Sequence, residues 1–229
     1  MFDLVIPIMK KKCIKHTLEY YSNQKLYLNK ILLVDYLPEY TNSLLHKKYT
    51  IVNHIWLKYR KYFNKSFALN IGIDYATSHY IICCDADVLI DEVTLHKWDC
   101  YIRNYKDVFI SLKTVKESES DEERPGYGIV CGTRNSFLSI EGYDSSYIGW
   151  GFEDLDILNR MYLFGKDIVR LGHGLHLSHD DEERMQNYAT KSKQDSRTIN
   201  LKRYENKKLS NNLYGTFSKD VKEAKLELI

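Results

Sequence analysis

Short apolar runs alternate with stretches of helical periodicity along the first 90 residues. Four runs have the length and composition of buried strands: LVIPI, KILLVDYL, YTIVNHIW and YIICCDADVLI. Between them, residues 11–21 and 66–78 repeat apolar side chains at the three- and four-residue spacing of a helix. This β-α-β order predicts an α/β fold in which a mostly parallel central sheet is flanked by helices.

Acidic side chains lie where the predicted strands end. Asp35 is near the end of the second run, and Asp85 and Asp87 follow the apolar start of the fourth. In largely parallel sheets, ligands bind outside the carboxyl ends of the strands. We therefore expect these three carboxylates to border a ligand-binding edge.

The second half of the chain contains longer polar stretches. Residues 113–126 are charged and predict a mobile surface loop that becomes ordered when substrate binds. GIVCGTRNSFLSIEGYD predicts a strand and a short helix from about Thr133 to Gly142, and KDIVRLGHGLHLSHD predicts a final strand. Residues 1–180 are expected to form the main domain, with residues 181–229 as its helical or wrapping tail.

Composition narrows the class of protein. Of 229 residues, 44% are hydrophobic and 28% are charged, and the net charge is +2, which predicts a globular protein without a nucleic-acid partner. No apolar run reaches the length of a membrane helix. The five cysteines lack zinc-binding spacing and predict buried thiols in a cytoplasmic protein, for which peripheral attachment to the inner face of a membrane stays open.

The stretch CDADVLI places two aspartates one residue apart at the exit of a buried strand. Residues two apart share a face of a strand, so Asp85 and Asp87 could bind one cation. Carboxylate oxygens suit Mg²⁺ or Mn²⁺. Two aspartates at a solvated strand end would give the same pattern, and the motif alone does not decide between these interpretations.

Histidines follow in the stretch HLSHD. His176 and His179 are three residues apart, near the end of the last predicted strand. Histidine is a common metal ligand, so two aspartates and a histidine could hold manganese together with phosphate oxygens. Surface histidines without a ligand are the alternative interpretation.

The segment IGWGFEDLDILNRMYLFG combines an aromatic side chain, glycines and crowded acids. Trp150 lies between two glycines, which would let its indole ring lie against the face of a sugar. Glu153, Asp154 and Asp156 fall in the first turn of a predicted helix, where the helix dipole favours acids and should lower the pKa of Asp154. The dipole explains part of this charge, and carboxylates beside the indole could also accept hydrogen bonds from sugar hydroxyls.

Taken together, these segments resemble the β-1,4-galactosyltransferase family, whose members have the GT-A nucleotide-sugar-binding fold. The resemblance rests on FNKSFALNIGIDYATSHYIICCDADVLI, GYDSSYIGWGFEDLDILNRMYLFG and HLSHD, in that order and spacing. It extends from about Phe2 to Asp180, and GWGFEDLD is similar to the C-terminal galactosyltransferase domain motif GWGxEDxD.

The resemblance assigns roles residue by residue. Asp154 matches the catalytic base, and Glu153 would hold a sugar hydroxyl in the same catalytic site. The ligands of the metal, Mn²⁺ or Mg²⁺, would be Asp85, Asp87, His179 and His176. With Asp35 added from its edge position, the substrate-binding residues would be Pro7, Lys11, Asp35, Phe63, Lys65, Asp85, Trp150, Gly151 and Glu153.

Several positions depart from the family pattern. Phe152 stands where the family has a second glycine, and Leu155 replaces an acid. Lys11 and Lys65 stand where arginines are usual, and lysine lacks the bidentate fork of the guanidinium group. These differences leave the donor and acceptor sugars undetermined.

The resemblance implies a metal-dependent transferase that moves a hexose from a UDP-sugar to a hydroxyl of a glycan or lipid-linked glycan, with inversion. Galactose and an N-acetylhexosamine are the expected sugars. A retaining transferase and a nucleotide-sugar-binding module without turnover remain alternatives. A metal-dependent phosphohydrolase fits less well, because the sequence offers no ligands for a second metal.

Overall fold

The computed structural model describes residues 1–37, 49–57, 60–105, 107–180, 185–190 and 192–227. The strands are β1 (Phe2–Ile8), β2 (Leu28–Asp35), β3 (Val52–Trp56), β4 (Tyr80–Cys83), β5 (Val88–Ile90), β6 (Val108–Glu117), β7 (Glu123–Thr133), β8 (Asp167–Arg170) and β9 (His173–His176). The helices are α1 (Ile14–Ser22), α2 (Lys65–Tyr75), α3 (Glu92–Asn104), α4 (Arg134–Ser139), α5 (Glu153–Leu163), α6 (Lys193–Leu209) and α7 (Phe217–Glu227).

The strands form one sheet in the order β3-β2-β1-β4-β7-β6-β9-β5, and β8 also pairs with β6. Strands β3, β2, β1 and β4 are parallel to one another. Strand β7 is antiparallel to both β4 and β6, and β5 is antiparallel to β9. The predicted α/β class is confirmed. The sheet is mixed, because β7 runs antiparallel to the strands on either side of it and β5 runs antiparallel to β9.

Alternate residues of β1 point to opposite faces of the sheet and define two cores. Leu4 and Ile6 pack with Tyr21 of α1 and Trp98 of α3 on one face. Val5 packs on the other face with residues of α2, α4, α5 and α7. Because both faces are covered, the runs that form β1 and β2 are almost continuously apolar.

The helix predicted over residues 66–78 is confirmed as α2, and its start has a clear local cause. The side chain of Asn64 accepts a hydrogen bond from the backbone N–H of Phe67 at 3.0 Å and so caps the helix. Thr133 caps α4 in the same way, at the position where the sequence predicts that helix to begin. The helix predicted over residues 11–21 is α1, which begins three residues later, at Ile14.

The run YIICCDADVLI is two strands rather than one. Strand β4 ends at Cys83, and β5 begins at Val88 after a turn in which the Val88 N–H donates to the carbonyl of Asp85 at 3.2 Å. Asp85 and Asp87 therefore lie in a turn, where their side chains can approach partners from several elements. The predicted final strand is also divided, into β8 and β9, and Gly172 between them has a φ of 81°.

The prediction that residues 113–126 form a loop is wrong for most of its length, whereas their ordering on substrate binding stays a prediction. Thr114, Val115 and Lys116 of β6 pair with Pro125, Arg124 and Glu123 of β7. Val115 is fully buried while Lys116 is exposed, so the segment has the alternation of a strand with one solvated face. Most of its charged side chains are exposed, which is why the composition resembles that of a loop.

Helices α6 and α7 belong to the segment predicted as a tail, and both contact the rest of the chain. Asn70 of α2 donates to Asp220 of α7 at 2.7 Å, and both side chains are buried. The division at residue 180 stays a prediction. Among the residues that the structure describes, none of the helices is long and apolar enough to cross a membrane.

Candidate active site

A cleft with a volume of about 350 Å³ opens beside the end of β1, the β4–β5 turn and the start of α5. This volume falls in the range of small-molecule sites, about 300–1,000 Å³. The residues of the sequence prediction that line the cleft are Pro7, Lys11, Phe63, Lys65, Asp85, Asp87, Trp150, Gly151, Glu153, Asp154 and His176. The structure thus brings together side chains that are up to 169 residues apart, from Pro7 to His176.

Asp35 is placed elsewhere. Its side chain is fully buried, lies 2.9 Å from His54 Nε2 and accepts a hydrogen bond from the Leu37 N–H at 2.8 Å. It is absent from the residues that line the cleft. In the described part of the chain, Asp35 thus fixes the end of β2 to β3, and a role in substrate binding finds no support in its position.

Three predicted metal ligands form a compact cluster. The ligand atoms of Asp87, His176 and His179 all lie within 4.8 Å of one another. His179 Nε2 is 2.9 Å from Asp87 Oδ2, and His176 Nε2 is 3.8 Å from Asp87 Oδ1. A carboxylate and two imidazoles at this spacing fit a divalent cation. Asp85 lies outside this cluster, with its Oδ1 atom 2.7 Å from Lys65 Nζ.

Glu117 orients one of these histidines and was missed by the sequence analysis. His176 Nδ1–H donates to Glu117 Oε2 at 2.5 Å, which leaves Nε2 facing Asp87. Histidine ligands of metals are commonly fixed in this way by a carboxylate. Burial opposes ionisation of Glu117, but hydrogen bonds from His176, Arg124 and Ser178 outweigh it and lower its pKa to about 2.

Asp87 is the negative centre of the cluster. Lys11 Nζ lies 2.8 Å from Asp87 Oδ2 and 3.2 Å from His179 Nε2. Burial alone would raise the pKa of Asp87, but the His179 hydrogen bond and the Lys11 charge hold that pKa well below its usual range. Asp87 is thus held in its ionised form, as a carboxylate that binds a metal ion must be.

Lys65 connects the β4–β5 turn to the start of α5. Its Nζ atom is 2.7 Å from Asp85, 3.0 Å from Asp154 and 3.8 Å from Glu153. Burial opposes the ammonium charge, but the three carboxylates raise the pKa of Lys65 well above its ordinary value. Gly128 of β7 leaves room for this group, since a Cβ there would lie 2.9 Å from both Asp154 and Asp85.

The prediction that the helix dipole lowers the pKa of Asp154 is wrong. Burial raises the pKa of Asp154, the Asp85 charge adds to this, and Lys65 acts in the opposite direction. Burial and the neighbouring Asp154 charge raise the pKa of Glu153 as well. One oxygen of Glu153, Oε2, is buried and has no hydrogen-bond partner among the described residues. The pair is thus less acidic than exposed carboxylates and is able to bind a proton or a hydroxyl.

The loop around Trp150 is held by helix α6. Ser196 Oγ accepts from the Trp150 N–H at 2.5 Å, and Asn200 Nδ2 donates to the carbonyls of Ile148 at 3.0 Å and Gly151 at 2.9 Å. Both α6 side chains are fully buried. The glycine at position 149 has a φ of 77°, and a Cβ there would lie 2.2 Å from Ser196 Oγ, so a larger residue would not fit.

Phe152, which stands where the family pattern has a glycine, has a backbone conformation that glycine adopts readily. Its φ is 73°, in the left-handed region that a bulky residue rarely adopts. Its ring lies 5.8 Å from that of Tyr204 on α6. The departure from the pattern therefore brings an aromatic ring against α6.

Asn200→Ala is expected to lower the free energy of unfolding by about 1–3 kcal/mol, because the carbonyls of Ile148 and Gly151 would lose a buried donor. Urea unfolding monitored by circular dichroism would measure this change. Asn206→Ala, on an exposed position of the same helix, serves as the control and should stay within about 0.5 kcal/mol of wild type. Equal stability of the two variants would show that the loop does not depend on this contact.

Further cleft residues escaped the sequence analysis because no local pattern marks them. Asn187 donates to the Met9 carbonyl at 2.8 Å, and its own carbonyl accepts from the Phe63 N–H at 2.8 Å. It thus joins the end of β1 to the segment before α2. The unpredicted polar and aromatic side chains in the cleft are Arg124, Tyr127, Asn187, Tyr188, Lys193 and Arg197.

The sequence of the chain is similar to the sequences of galactosyltransferases. The sequence profile described as the N-terminal domain of galactosyltransferase matches residues 107–181, which include the Trp150 loop. The assignment of that loop to a C-terminal domain motif stays a prediction. Human β-1,4-galactosyltransferase 1 is 30% identical over 109 residues, which are 47% of this chain and 27% of the human protein. The chain therefore spans about a quarter of the length of this relative.

Solved structures show the same fold. A Drosophila β-1,4-galactosyltransferase 7 mutant in complex with manganese, UDP-Gal and xylobiose aligns with a TM-score of 0.60 and 15% identity, over 86% of this chain and 79% of that one. GalNAc-T7 with UDP, GalNAc and Mn²⁺ aligns with a TM-score of 0.64 and 15% identity, over 79% of this chain and 44% of that one. In fold this chain is a GT-A protein, and in sequence it is similar to the β-1,4-galactosyltransferases.

Proposed function

We propose that the chain is a metal-dependent glycosyltransferase that moves a hexose from a UDP-sugar to an acceptor hydroxyl. The observation that carries this proposal is the proximity of two groups at one cleft, which is lined by Asp87 and His176 of the first group and by Glu153 and Asp154 of the second. The Asp87, His176 and His179 cluster can bind a cation, and Asp154 with Glu153 can bind a proton or a hydroxyl. The neighbours with manganese and UDP or UDP-Gal support the donor class.

Asp154 would act as the base that takes the proton of the acceptor hydroxyl. Burial raises its pKa, so the carboxylate accepts a proton more readily than an exposed aspartate does. Lys65 contacts it at 3.0 Å and would keep it ionised and oriented before the acceptor binds. The buried, unpartnered Oε2 of Glu153 would accept a hydrogen bond from a sugar hydroxyl.

The leaving group is a diphosphate, whose charge must be neutralised. Asp87, His176 and His179 would hold a divalent cation, which supplies Lewis-acid stabilisation of that charge when bound. Lys11 and Lys65 line the same cleft and would add positive charge toward the phosphates. We assign Asp85 to the donor side through its contact with Lys65, rather than to the metal cluster.

The finer assignments are also proposals. Attack by the acceptor on the face opposite the diphosphate, with Asp154 as base, would invert the sugar carbon. The acceptor would be a glycan or a lipid-linked glycan, and galactose or an N-acetylhexosamine the sugar transferred. A cytoplasmic location is proposed from the cysteines, all five of which are free in the structure.

The test is UDP release from a panel of nucleotide-sugars. The protein would be incubated with manganese and, in turn, UDP-galactose, UDP-glucose, UDP-GlcNAc, UDP-GalNAc and, as a control, GDP-mannose. We expect one or more UDP-sugars to release UDP, EDTA to stop the release and added manganese to restore it. Manganese-dependent binding without release would instead support a binding module. The absence of both binding and release would refute the proposal.

A further inference from the structure

Basic side chains of helix α6 lie over the aromatic rings of the cleft. Arg197 Cζ is 5.4 Å from the centre of the Trp150 ring and 5.9 Å from that of Phe152. Lys193 Nζ is 4.8 Å from the centre of the Trp150 ring. Both basic residues line the same cleft as Glu153 and Asp154. The wall next to the candidate base is therefore aromatic and positively charged.

The position of Arg197 on this wall is fixed by its neighbours on the helix. Ser196 and Asn200 are fully buried and hold the backbone of the Trp150 loop. Arg197 lies between them in sequence, so its backbone cannot move away from the loop unless those contacts break. Its guanidinium is exposed at the cleft, while its attachment point is part of the buried contact.

The guanidinium of Arg197 has no acidic partner among the described residues. The carboxylates of Asp154 and Glu153 are turned to Lys65, at 3.0 Å and 3.8 Å. Arg124, which also lines the cleft, is paired with Glu117 at 3.1 Å. Arg197 makes two ring contacts and can still direct its N–H donors to a ligand. A guanidinium without an acidic partner can bind a carboxylate or a phosphate with two parallel hydrogen bonds.

We infer that the acceptor is an acidic sugar, whose anionic group is bound by Arg197 while its ring lies against Trp150. This inference rests on the proposed function, because it names the class of acceptor for the same site. A carboxylate at C6 of a hexuronate and a phosphate on the same carbon present the same chemistry to the guanidinium. A neutral sugar of equal size would leave the Arg197 guanidinium without a counter-charge.

The test compares matched sugars with and without the anion. Binding to the protein with UDP and manganese would be measured by calorimetry for p-nitrophenyl β-D-glucuronide against p-nitrophenyl β-D-glucoside, and for glucose 6-phosphate against glucose. We expect the acidic member to bind about threefold to tenfold more tightly, since the site is partly exposed. The pair with the larger difference identifies the anion. Equal binding within both pairs, or binding of none of the four, would overturn the inference.

Variants of α6 then assign the effect to one residue. Arg197→Gln should remove the preference for the acidic sugar and leave the affinity for UDP with manganese unchanged. Lys202→Gln removes the same charge from an exposed position of the same helix, outside the cleft, and should keep the preference. A preference that survives Arg197→Gln, or a loss of UDP affinity in that variant, would overturn the assignment. Absence of manganese-dependent UDP binding by the wild-type protein would refute the proposed function instead.

Discussion

The Asp154→Asn protein is expected to bind UDP and manganese as the wild type does, but to transfer sugar about 100-fold more slowly or worse. Asparagine preserves the size of the side chain and can still accept a hydrogen bond from Lys65, which lies 3.0 Å from the carboxylate. It cannot take the proton of the acceptor hydroxyl. Melting temperature, UDP affinity by calorimetry and the rate of transfer would be measured on the same preparation.

Glu92→Gln is the matched control for this variant. Glu92 is also an acid in the first turn of a helix, but it is exposed and lies outside the cleft. Its loss should cost about 0.3–1 kcal/mol of stability through the helix dipole and leave transfer unchanged. If Asp154→Asn behaves as this control does, Asp154 is a helix-start acid only. A wild-type rate in that variant would direct attention to Glu153 or to a retaining mechanism.

The strands and helices that pack on both faces of the sheet could be predicted because their apolar pattern is local. Strands β1 and β2 are almost continuously buried, and α2 has its cap and periodicity within one short segment. The charged ends of β6 and β7, within residues 113–126, could not be predicted, because their side chains are mostly exposed and their strand character depends on the pairing of β6 with β7. The turn at Asp85 likewise depends on β9, because β5, which follows the turn, pairs with that strand from a distant part of the chain.

The residues that meet at the candidate site could be predicted where they lie within one short motif, as in GWGFEDLD and HLSHD. Site residues could not be predicted where a side chain contacts a residue that is far away in the sequence. Glu117 reaches His176 over 59 residues, and Asn200 reaches Gly151 over 49. The prediction that the pKa of Asp154 is lowered failed for a related reason. The helix dipole can be inferred from position in the sequence, whereas burial beside Asp85 and Lys65 is a property of the folded cleft.

Asp87→Ala is expected to abolish manganese-dependent binding of UDP. Asp87 is the carboxylate shared by both histidines of the cluster, so its removal leaves two imidazoles without the negative charge that favours a cation. We expect the affinity for manganese to fall by about 100-fold or more, beyond the roughly 10- to 100-fold that loss of an outer partner costs. Calorimetric titration of manganese, followed by UDP with and without the metal, would measure both effects.

Two further variants make this test specific. His179→Ala should weaken manganese binding in the same direction but less, and Glu117→Gln should do so by about 10- to 100-fold, because it only orients His176. Asp121→Ala is the control, since that carboxylate is 99% exposed and paired with Lys116 at the surface. UDP binding that does not depend on metal should persist in all four proteins, because Lys11 and Lys65 remain in the cleft. An unchanged manganese titration for Asp87→Ala would contradict the metal assignment, and it would make the cluster an ion-paired network without a metal.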